Sequence, residues 1–132
     1  MDRLLDCATS GPLYLRQPAV AGMVVKAIGD GEARFKRYQL HAFAVMPNHV
    51  HLLVTPAVPL GNWLAPLKGF TGNQANHLLG GAGGRFWQEE SFDRLVRNAT
   101  EFERTRAYIE ANPVHAALVS SPEAWPWSSA AV

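Results

Sequence analysis

The sequence predicts an α+β fold, on three observations. Tyr38–Met46 and His49–Thr55 are rich in aromatic and β-branched residues and flank a Pro-Asn turn, which predicts an antiparallel hairpin. Segments on both sides of this hairpin carry apolar residues at helical spacing. The 132 residues contain no internal repeat and no domain boundary, so residues 1–132 are expected to form a single domain.

The first third of the chain is predicted to be helical. Residues 1–10 fit a short helix, which Gly11-Pro12 would end. Pro18 suits the first turn of a second helix, which runs to Ile28 and ends at Gly29–Gly31. The hairpin that follows is almost continuously apolar, so we expect it to be covered on both faces.

Two further helices and a short strand are predicted after the hairpin. Leu60–Leu79 has a helical pattern that Pro66 weakens, which indicates a kink or two pieces. Gly80–Gly84 follows as a flexible linker; it lacks the Lys-Ser/Thr ending of a phosphate-binding loop. Phe92–Arg97 fits a short strand.

The last predicted helix is capped by Asn98 or Thr100, and it runs to Asn112, where Pro113 is expected to stop it. The tail that contains Trp125–Trp127 is expected to pack back onto the domain as an irregular cover.

Composition excludes several classes of protein. With 48% hydrophobic residues, the chain can form a core, so wholesale disorder is excluded. It contains no apolar stretch long enough for a membrane span and no secretory signal pattern at its start. The single cysteine, Cys7, excludes an internal disulfide and a multi-cysteine zinc site, and a reduced, cytoplasmic protein is therefore expected.

The net charge gives no global reason to expect a nucleic-acid partner. Twelve basic residues stand against eleven acidic ones, a formal charge of +1, although a neutral total can hide a basic groove. Arg34-Phe35-Lys36-Arg37 is the one dense basic run, and we interpret it as a solvated loop before a strand.

A His-x-His pair is the first candidate for chemistry. On a strand, His49 and His51 project to the same face and Val50 projects to the other. Two neutral imidazoles placed together can chelate one divalent metal ion. The alternative is a pair of polar side chains on a half-exposed strand face.

The last predicted helix holds the second candidate. Tyr108 and Asn112 lie four residues apart and share a helix face with Arg104, displaced from the apolar stripe of Phe102 and Ile109. A tyrosine hydroxyl placed there could act as a nucleophile, and Asn112 could give an oxygen ligand to a metal. The alternatives are a border residue for Tyr108 and a helix C-cap for Asn112.

These residues lie in motifs that resemble a known family. Leu40–Val54, with its Pro47-Asn48-His49-Val50-His51 core, resembles the HUH signature of the single-tyrosine transposases. Four further segments resemble the subgroup called REP-associated tyrosine transposases: Phe86-Trp87-Gln88, Phe92–Arg97, Tyr108–Val114 and Trp125–Ala130. The resemblance covers the chain from about Tyr38 to its end.

The resemblance implies a mechanism. His49, His51 and Asn112 would hold Mg²⁺ or Mn²⁺, and Tyr108 would attack a phosphate of single-stranded DNA, leaving a 5′-phosphotyrosine and a free 3′-OH. Because the bond energy is conserved in the phosphotyrosine, the strand can be rejoined without ATP.

The resemblance also implies the partner, which is a hairpin formed by single-stranded DNA at palindromic repeats. Such DNA is recognised by shape, base stacking and phosphate contacts. We expect Lys68, Arg85, Arg94 and Arg97 to contact phosphates and Trp87 to stack on a base, with core filling as the alternative for Trp87. No membrane is involved, and either a monomer or a homodimer is compatible with the family.

The fold that the resemblance implies is a ferredoxin-like antiparallel sheet with packed helices and with the HUH motif on a central strand. Members of the family begin with a strand that carries a Thr- and aromatic-rich pattern. No such strand is identified before residue 38, so the sequence predicts that the first strand is missing and that the chain starts late.

Two alternatives to a transposase remain open. A non-catalytic relative would bind single-stranded nucleic acid in a way that does not depend on the Tyr108 hydroxyl. A small metal-dependent hydrolase would use the His-x-His pair to activate water, so its turnover would survive Tyr108→Phe and be lost with His49→Ala.

Overall fold

The order of strands in the sheet defines the topology. The computed structural model describes residues 2–9, 14–81, 85–89 and 91–131. Its strands and helices, in chain order, are β1 (Asp2–Ala8), α1 (Pro18–Ala33), β2 (Tyr38–Met46), β3 (His49–Pro56), α2 (Gly61–Leu78), β4 (Phe92–Val96) and α3 (Ala99–His115). All pairs in the sheet are antiparallel, in the order β2-β3-β1-β4. The βαββαβ order gives the predicted ferredoxin-like α+β fold, with α3 added.

Each face of the sheet has its own core. On one face, Leu5, Val50 and Leu52 pack with buried residues of α1 and α2, among them Val24 and Trp63. The other face forms a smaller cluster with α3; its buried residues are Leu4, Ala42, Ala44, Met46, Leu53, Val96 and Ile109. The predicted cover on both faces of the hairpin is therefore confirmed.

The start of the chain corrects two predictions. A helix over residues 1–10 is wrong, because Asp2–Ala8 forms β1. The prediction that the first strand is missing is wrong for the same reason, since β1 lies at the centre of the sheet between β3 and β4.

The composition of β1 explains this error. Leu5 and Cys7 face α1 and α2, and Leu4 faces α3, so apolar residues on the two faces follow one another without alternation. The α3 face of β1 also carries two carboxylates, Asp2 and Asp6, which accept hydrogen bonds from Thr55 and His51 of β3. A central strand that carries half-buried acidic residues on one face lacks both the alternation of apolar and polar residues and the composition that predict a strand.

The hairpin and the helices match the predictions except at their ends. β2 and β3 pair as predicted. α1 continues through Gly29–Gly31 to Ala33, helped by an ion pair between Lys26 and Asp30. α2 includes Pro66 without interruption. α3 continues past Pro113 to His115, because a proline in the last turn removes only one hydrogen bond and this ring is buried.

Part of the predicted linkers lies outside the described residues. This holds for Gly11-Pro12 and for the Ala82–Gly84 part of the glycine linker. Gly80 and Gly81 are described, and both adopt a positive φ, of 109° and 72°, which glycine tolerates best. No helix within the described ranges is long and apolar enough to cross a membrane.

The predicted cover by the tail is confirmed at the edge of β2. The Val45 N–H donates to the Trp127 carbonyl at 2.8 Å, and the Trp125 indole N–H donates to the Val45 carbonyl at 3.0 Å. The tail also makes an isolated bridge between Ser128 and Ala44. It therefore occupies hydrogen-bonding groups that an edge strand would otherwise expose.

A close approach between α1 and β2 depends on a glycine. The buried Tyr38 hydroxyl donates to the Ile28 carbonyl at 2.5 Å, and a Cβ at Gly31 would lie 2.1 Å from that hydroxyl oxygen. Burial raises the pKa of Tyr38 to about 12, so the hydroxyl keeps the proton that it donates throughout the neutral range.

We expect Gly31→Ala to destabilise the protein by about 1–3 kcal/mol, the usual cost of overpacking a core. Gly29→Ala in the same helix is the matched control, because a Cβ there meets nothing within 4 Å. The control should be neutral or stabilising by up to about 1 kcal/mol. Urea unfolding of the two variants checks this, and equal effects would contradict the close approach at Gly31.

Candidate functional site

The paired histidines lie at the start of β3, directly after the turn that joins β2 to β3. His49 and His51 both lie on the sheet face that packs against α3, and Val50 lies in the core on the opposite face, as the spacing predicted. The two Nε2 atoms are 3.0 Å apart. His51 is buried and His49 is half-buried, so the pair forms the floor of an open site.

Acceptors behind the two rings fix which nitrogen of each histidine carries the proton. The Asp6 carboxylate lies next to His51 Nδ1, and the Asn48 side-chain oxygen lies 2.7 Å from His49 Nδ1. Both partner atoms are acceptors, so each neutral imidazole holds its proton on Nδ1 and directs the Nε2 lone pair into the site.

Two lone pairs that face one another at 3.0 Å repel unless a positive group lies beside them. The Asn112 side chain supplies a partly positive N–H group, since its amide nitrogen lies 2.8 Å from His51 Nε2 and donates a hydrogen bond to it. If the amide turned over, its oxygen would take the same place, giving two nitrogen ligands and one oxygen ligand. This donor set fits a divalent cation, and the carboxylate behind His51 is a common support for a histidine ligand.

The electrostatics of the pair keep His49 uncharged. Burial, followed by the neighbouring His51, lowers the pKa of His49 below its ordinary value of 6.5. A neutral imidazole at pH 7 is the form that can bind a metal. In the part of the chain that the structure describes, no three His, Cys, Asp or Glu side chains are grouped to hold a metal ion, and the Asn112 amide is the further polar group in contact with an Nε2 atom of the pair.

Tyr108 stands directly over this floor. Helix α3 places its ring edge-on to His51, with the centroids 5.8 Å apart, while 51% of the residue stays exposed. Ile109, the next residue, is fully buried in the core beneath α3. The apolar stripe of α3 therefore faces the core, and Tyr108 lies beside this stripe at the exposed edge of the helix, as the sequence predicted.

A groove beside Tyr108 gives access to the site. Its cavity of about 500 Å³ is lined by Tyr108, by two arginines, Arg94 and Arg104, and by two acidic residues, Asp6 and Glu101, among others. Arg94 is paired with Glu101, whereas Arg104 makes no ion pair with a described carboxylate. Arg104 is therefore the lining cation of this groove whose charge is available to an anionic ligand.

Asp6 is the residue that the sequence reasoning missed. It lies directly opposite His51 in the β1–β3 register. Nothing in the spacing of residues 2 to 8 indicates this, because the segment was interpreted as helical. A strand assignment for β1 would have placed Asp6 on the face of the histidines.

The residues predicted to contact DNA do not form one surface. Arg94 lines the groove, and Arg97 is exposed at a separate cavity beside Asn98. Lys68 donates to the Gln88 and Glu89 carbonyls and to the Ser91 hydroxyl, so it holds the loop that follows α2. Arg85 is exposed at a cavity beside this loop.

Trp87 lies in the core rather than on a surface. It is only 7% exposed, and its indole N–H donates to the Thr71 hydroxyl at 2.8 Å. A ring held in this way offers no free face to a base. The structure therefore favours the core-filling alternative over the predicted stacking role.

The ferredoxin-like fold is shared with solved transposase structures. A REP-associated tyrosine transposase, solved bound to a REP hairpin, superposes with a TM-score of 0.78 at 21% identity; the match covers 97% of this chain and 75% of that one. A candidate transposase from Deinococcus radiodurans superposes with a TM-score of 0.60 at 24% identity, over 83% of this chain and 88% of its own. No family model and no curated protein matches the sequence. At these identities, the likeness establishes the fold.

We expect His51 to be an Nδ1–H tautomer, because the Asp6 carboxylate only accepts. Nitrogen NMR of the histidine rings should show a protonated Nδ1 at His51, and Asp6→Ala should give a mixture of tautomers. Asp2→Ala, the same change at the other end of β1, should leave the His51 signals unchanged. An unaltered tautomer in Asp6→Ala would contradict the proposed role of Asp6.

Proposed function

We propose that this chain cleaves and rejoins single-stranded DNA, with Tyr108 as the nucleophile and a divalent metal ion held by His49, His51 and Asn112. The observation that carries the proposal is the position of Tyr108, half-exposed and edge-on to a pair of histidines whose Nε2 atoms converge. The fold shared with two solved transposases supports the same class of reaction.

The metal, Mg²⁺ or Mn²⁺, would polarise the scissile phosphate and stabilise charge that develops on its oxygens. All three proposed ligands are neutral, so the ion keeps more of its charge for the phosphate than it would beside carboxylates. Imidazole ligands favour Mn²⁺ over Mg²⁺.

The chain's own residues carry the remaining steps. The Tyr108 hydroxyl attacks phosphorus and releases its proton to the water that reaches its exposed ring. A new bond forms between this oxygen and phosphorus, the bond to the 3′ oxygen breaks, and that oxygen takes up a proton. The products are a 5′-phosphotyrosine and a free 3′-OH, which can attack in turn to rejoin the strand.

Two side chains assist without reacting. Asp6 holds the His51 ring in the orientation that presents Nε2 to the site. Arg104 lies one helical turn before Tyr108 and lines the same groove, where its charge suits a phosphate next to the scissile one. Arg94 lines the groove as well, so it is the strongest of the predicted phosphate contacts, and Arg85, Arg97 and Lys68 would act farther out.

The substrate we propose is DNA folded as a hairpin with an unpaired flank. The REP-associated transposase with the same fold was solved bound to a REP hairpin. The open groove at Tyr108 suits an unpaired strand, because the attacking hydroxyl must reach a phosphate in line with the leaving oxygen.

Covalent capture tests the nucleophile. Wild-type protein mixed with labelled single-stranded hairpin DNA and Mn²⁺ should give a labelled adduct on a denaturing gel, and Tyr108→Phe, His49→Ala or EDTA should abolish it. Tyr14→Phe is the matched control, because Tyr14 stacks on Phe86 within the core, and it should leave the adduct intact.

The same experiment separates the alternatives. Binding of the hairpin that gives no adduct and is indifferent to Tyr108→Phe would indicate a non-catalytic relative. Turnover that survives Tyr108→Phe but not His49→Ala would indicate a hydrolase that uses water.

Metal affinity tests the proposed donor set without any reaction. We expect Asp6→Asn to weaken Mn²⁺ binding about 10–100-fold, because the loss of a carboxylate behind a histidine ligand has this typical effect. Asn112→Ala should weaken binding as well, and Asp2→Asn should not. Calorimetric titration with Mn²⁺ gives these affinities, and wild-type affinity in both Asp6→Asn and Asn112→Ala would contradict the site.

A further inference from the structure

The basic run Arg34–Arg37 forms a surface that the proposed reaction does not use. It lies in the turn between α1 and β2, beside α2 on the sheet face opposite α3. Arg34, Phe35, Arg37 and Phe70 line a cavity of about 170 Å³, together with residues of α1 and α2. We call these four residues the aromatic-basic patch.

The patch is far from the paired histidines. It lies next to the end of β3, since the Ala57 N–H donates to the Arg37 carbonyl, whereas His49 begins that strand. A strand of eight residues spans about 23 Å at 3.3 Å per residue. The two sites therefore lie at opposite ends of β3 and on opposite faces of the sheet.

The cations of the patch lack partners of opposite charge. Arg34 and Arg37 make no ion pair with any described carboxylate, and neither does Lys36, which lies between them in the sequence. Asp30 lines the same cavity but is paired with Lys26, and Glu32 keeps its charge while it accepts a hydrogen bond from the Leu40 N–H, so three cations face one unpaired carboxylate. The patch thus carries a local positive charge that an anion can neutralise.

The two arginines are positioned by one aromatic ring. The guanidinium carbons of Arg37 and Arg34 lie 4.5 and 5.1 Å from the centre of the Phe35 ring. Both cation–π contacts order a guanidinium group beside this exposed ring. A phosphate that binds to either arginine would therefore meet a group that is already ordered.

Phe70 adds a second kind of contact. It is 56% exposed on α2 and shares the cavity with the arginines, whereas the Phe35 ring, 49% exposed, is partly covered by their guanidinium groups. Exposed aromatic rings next to unpaired arginines are the elements with which proteins bind single-stranded nucleic acid, by stacking bases and neutralising the backbone.

We propose that the aromatic-basic patch is a second binding site for single-stranded nucleic acid, with phosphate on Arg34 and Arg37 and a base on Phe70. Nothing in this site requires the metal or Tyr108. The inference rests on the proposed function only for the identity of the strand, which would be an unpaired part of the DNA held at Tyr108.

Binding of unstructured DNA to metal-free protein tests the patch. The probe is fluorescein-labelled oligothymidylate of about 12 nucleotides, within the usual range of such sites, and the protein is Tyr108→Phe in EDTA. Phe70→Leu should weaken binding about fivefold or more, and Phe70→Tyr, which restores a ring, should recover it. Leu78→Ala, another exposed apolar change on α2, is the matched control.

The salt dependence tests the arginines. Each phosphate contact on a single strand contributes a slope of about −0.7 to the plot of log affinity against log salt. Arg34→Ala and Arg37→Ala should each make the slope about 0.7 less steep, whereas Lys26→Ala, a cation already paired in α1, should leave it unchanged. Cross-linking of an iodouracil oligonucleotide should label the Gly61–Leu78 peptide.

The outcomes distinguish this inference from the proposed function. Wild-type affinity and slope in Phe70→Leu, Arg34→Ala and Arg37→Ala would overturn the patch, even if wild-type protein forms the Tyr108 adduct. Binding of labelled polyglutamate without binding of oligothymidylate would also overturn it, in favour of an acidic protein partner. If binding of oligothymidylate depends on the patch but wild-type protein forms no Tyr108 adduct, the second binding site is supported and the proposed reaction is contradicted.

Discussion

The antiparallel pairing of β1 with β3 is the constraint on which the site depends. Its register sets Asp6 opposite His51 and Asp2 near Thr55, so two half-buried carboxylates find donors on the neighbouring strand. A half-buried carboxylate that lost such a donor would destabilise the fold, because part of its hydration is already lost. The polar pairs therefore hold the register as much as the apolar residues on the other face do, because a slip by one residue would bury Asp6 in the core of α1 and α2.

Helix α3 adds Tyr108 and Asn112 to the paired histidines of the sheet. Ile109 fixes the helix against the sheet, and the helical repeat then decides where Tyr108 and Asn112 lie. Both point toward the paired histidines because they are one turn apart on the side next to the buried stripe. The position of the tyrosine is thus a result of core packing, and the site needs no flexible loop to bring the groups together.

Most of the fold and the centre of the site could be predicted from the sequence. The hairpin, the short strand, the helices and the shared face of the histidines all follow from local periodicity, and the resemblance to the transposases supplied the topology. β1 could not be predicted, because its acidic residues are paired with groups more than forty positions away. Asp6 was missed with it. The glycines of α1 were interpreted as an end of the helix, although the tight contact of Gly31 with Tyr38 is a tertiary requirement that no local pattern carries.

The tail that seals the edge of β2 has a consequence for the order of assembly during synthesis. Val45 and Trp127 are joined by a backbone hydrogen bond across more than eighty residues, so this edge is closed only when Trp127 has left the ribosome. Until then, the nascent hairpin presents an unpaired apolar strand to any other strand nearby. During synthesis there is therefore an interval in which the hairpin can pair with other chains and aggregate. The rate of translation, rather than the stability of the finished sheet, sets the length of this interval.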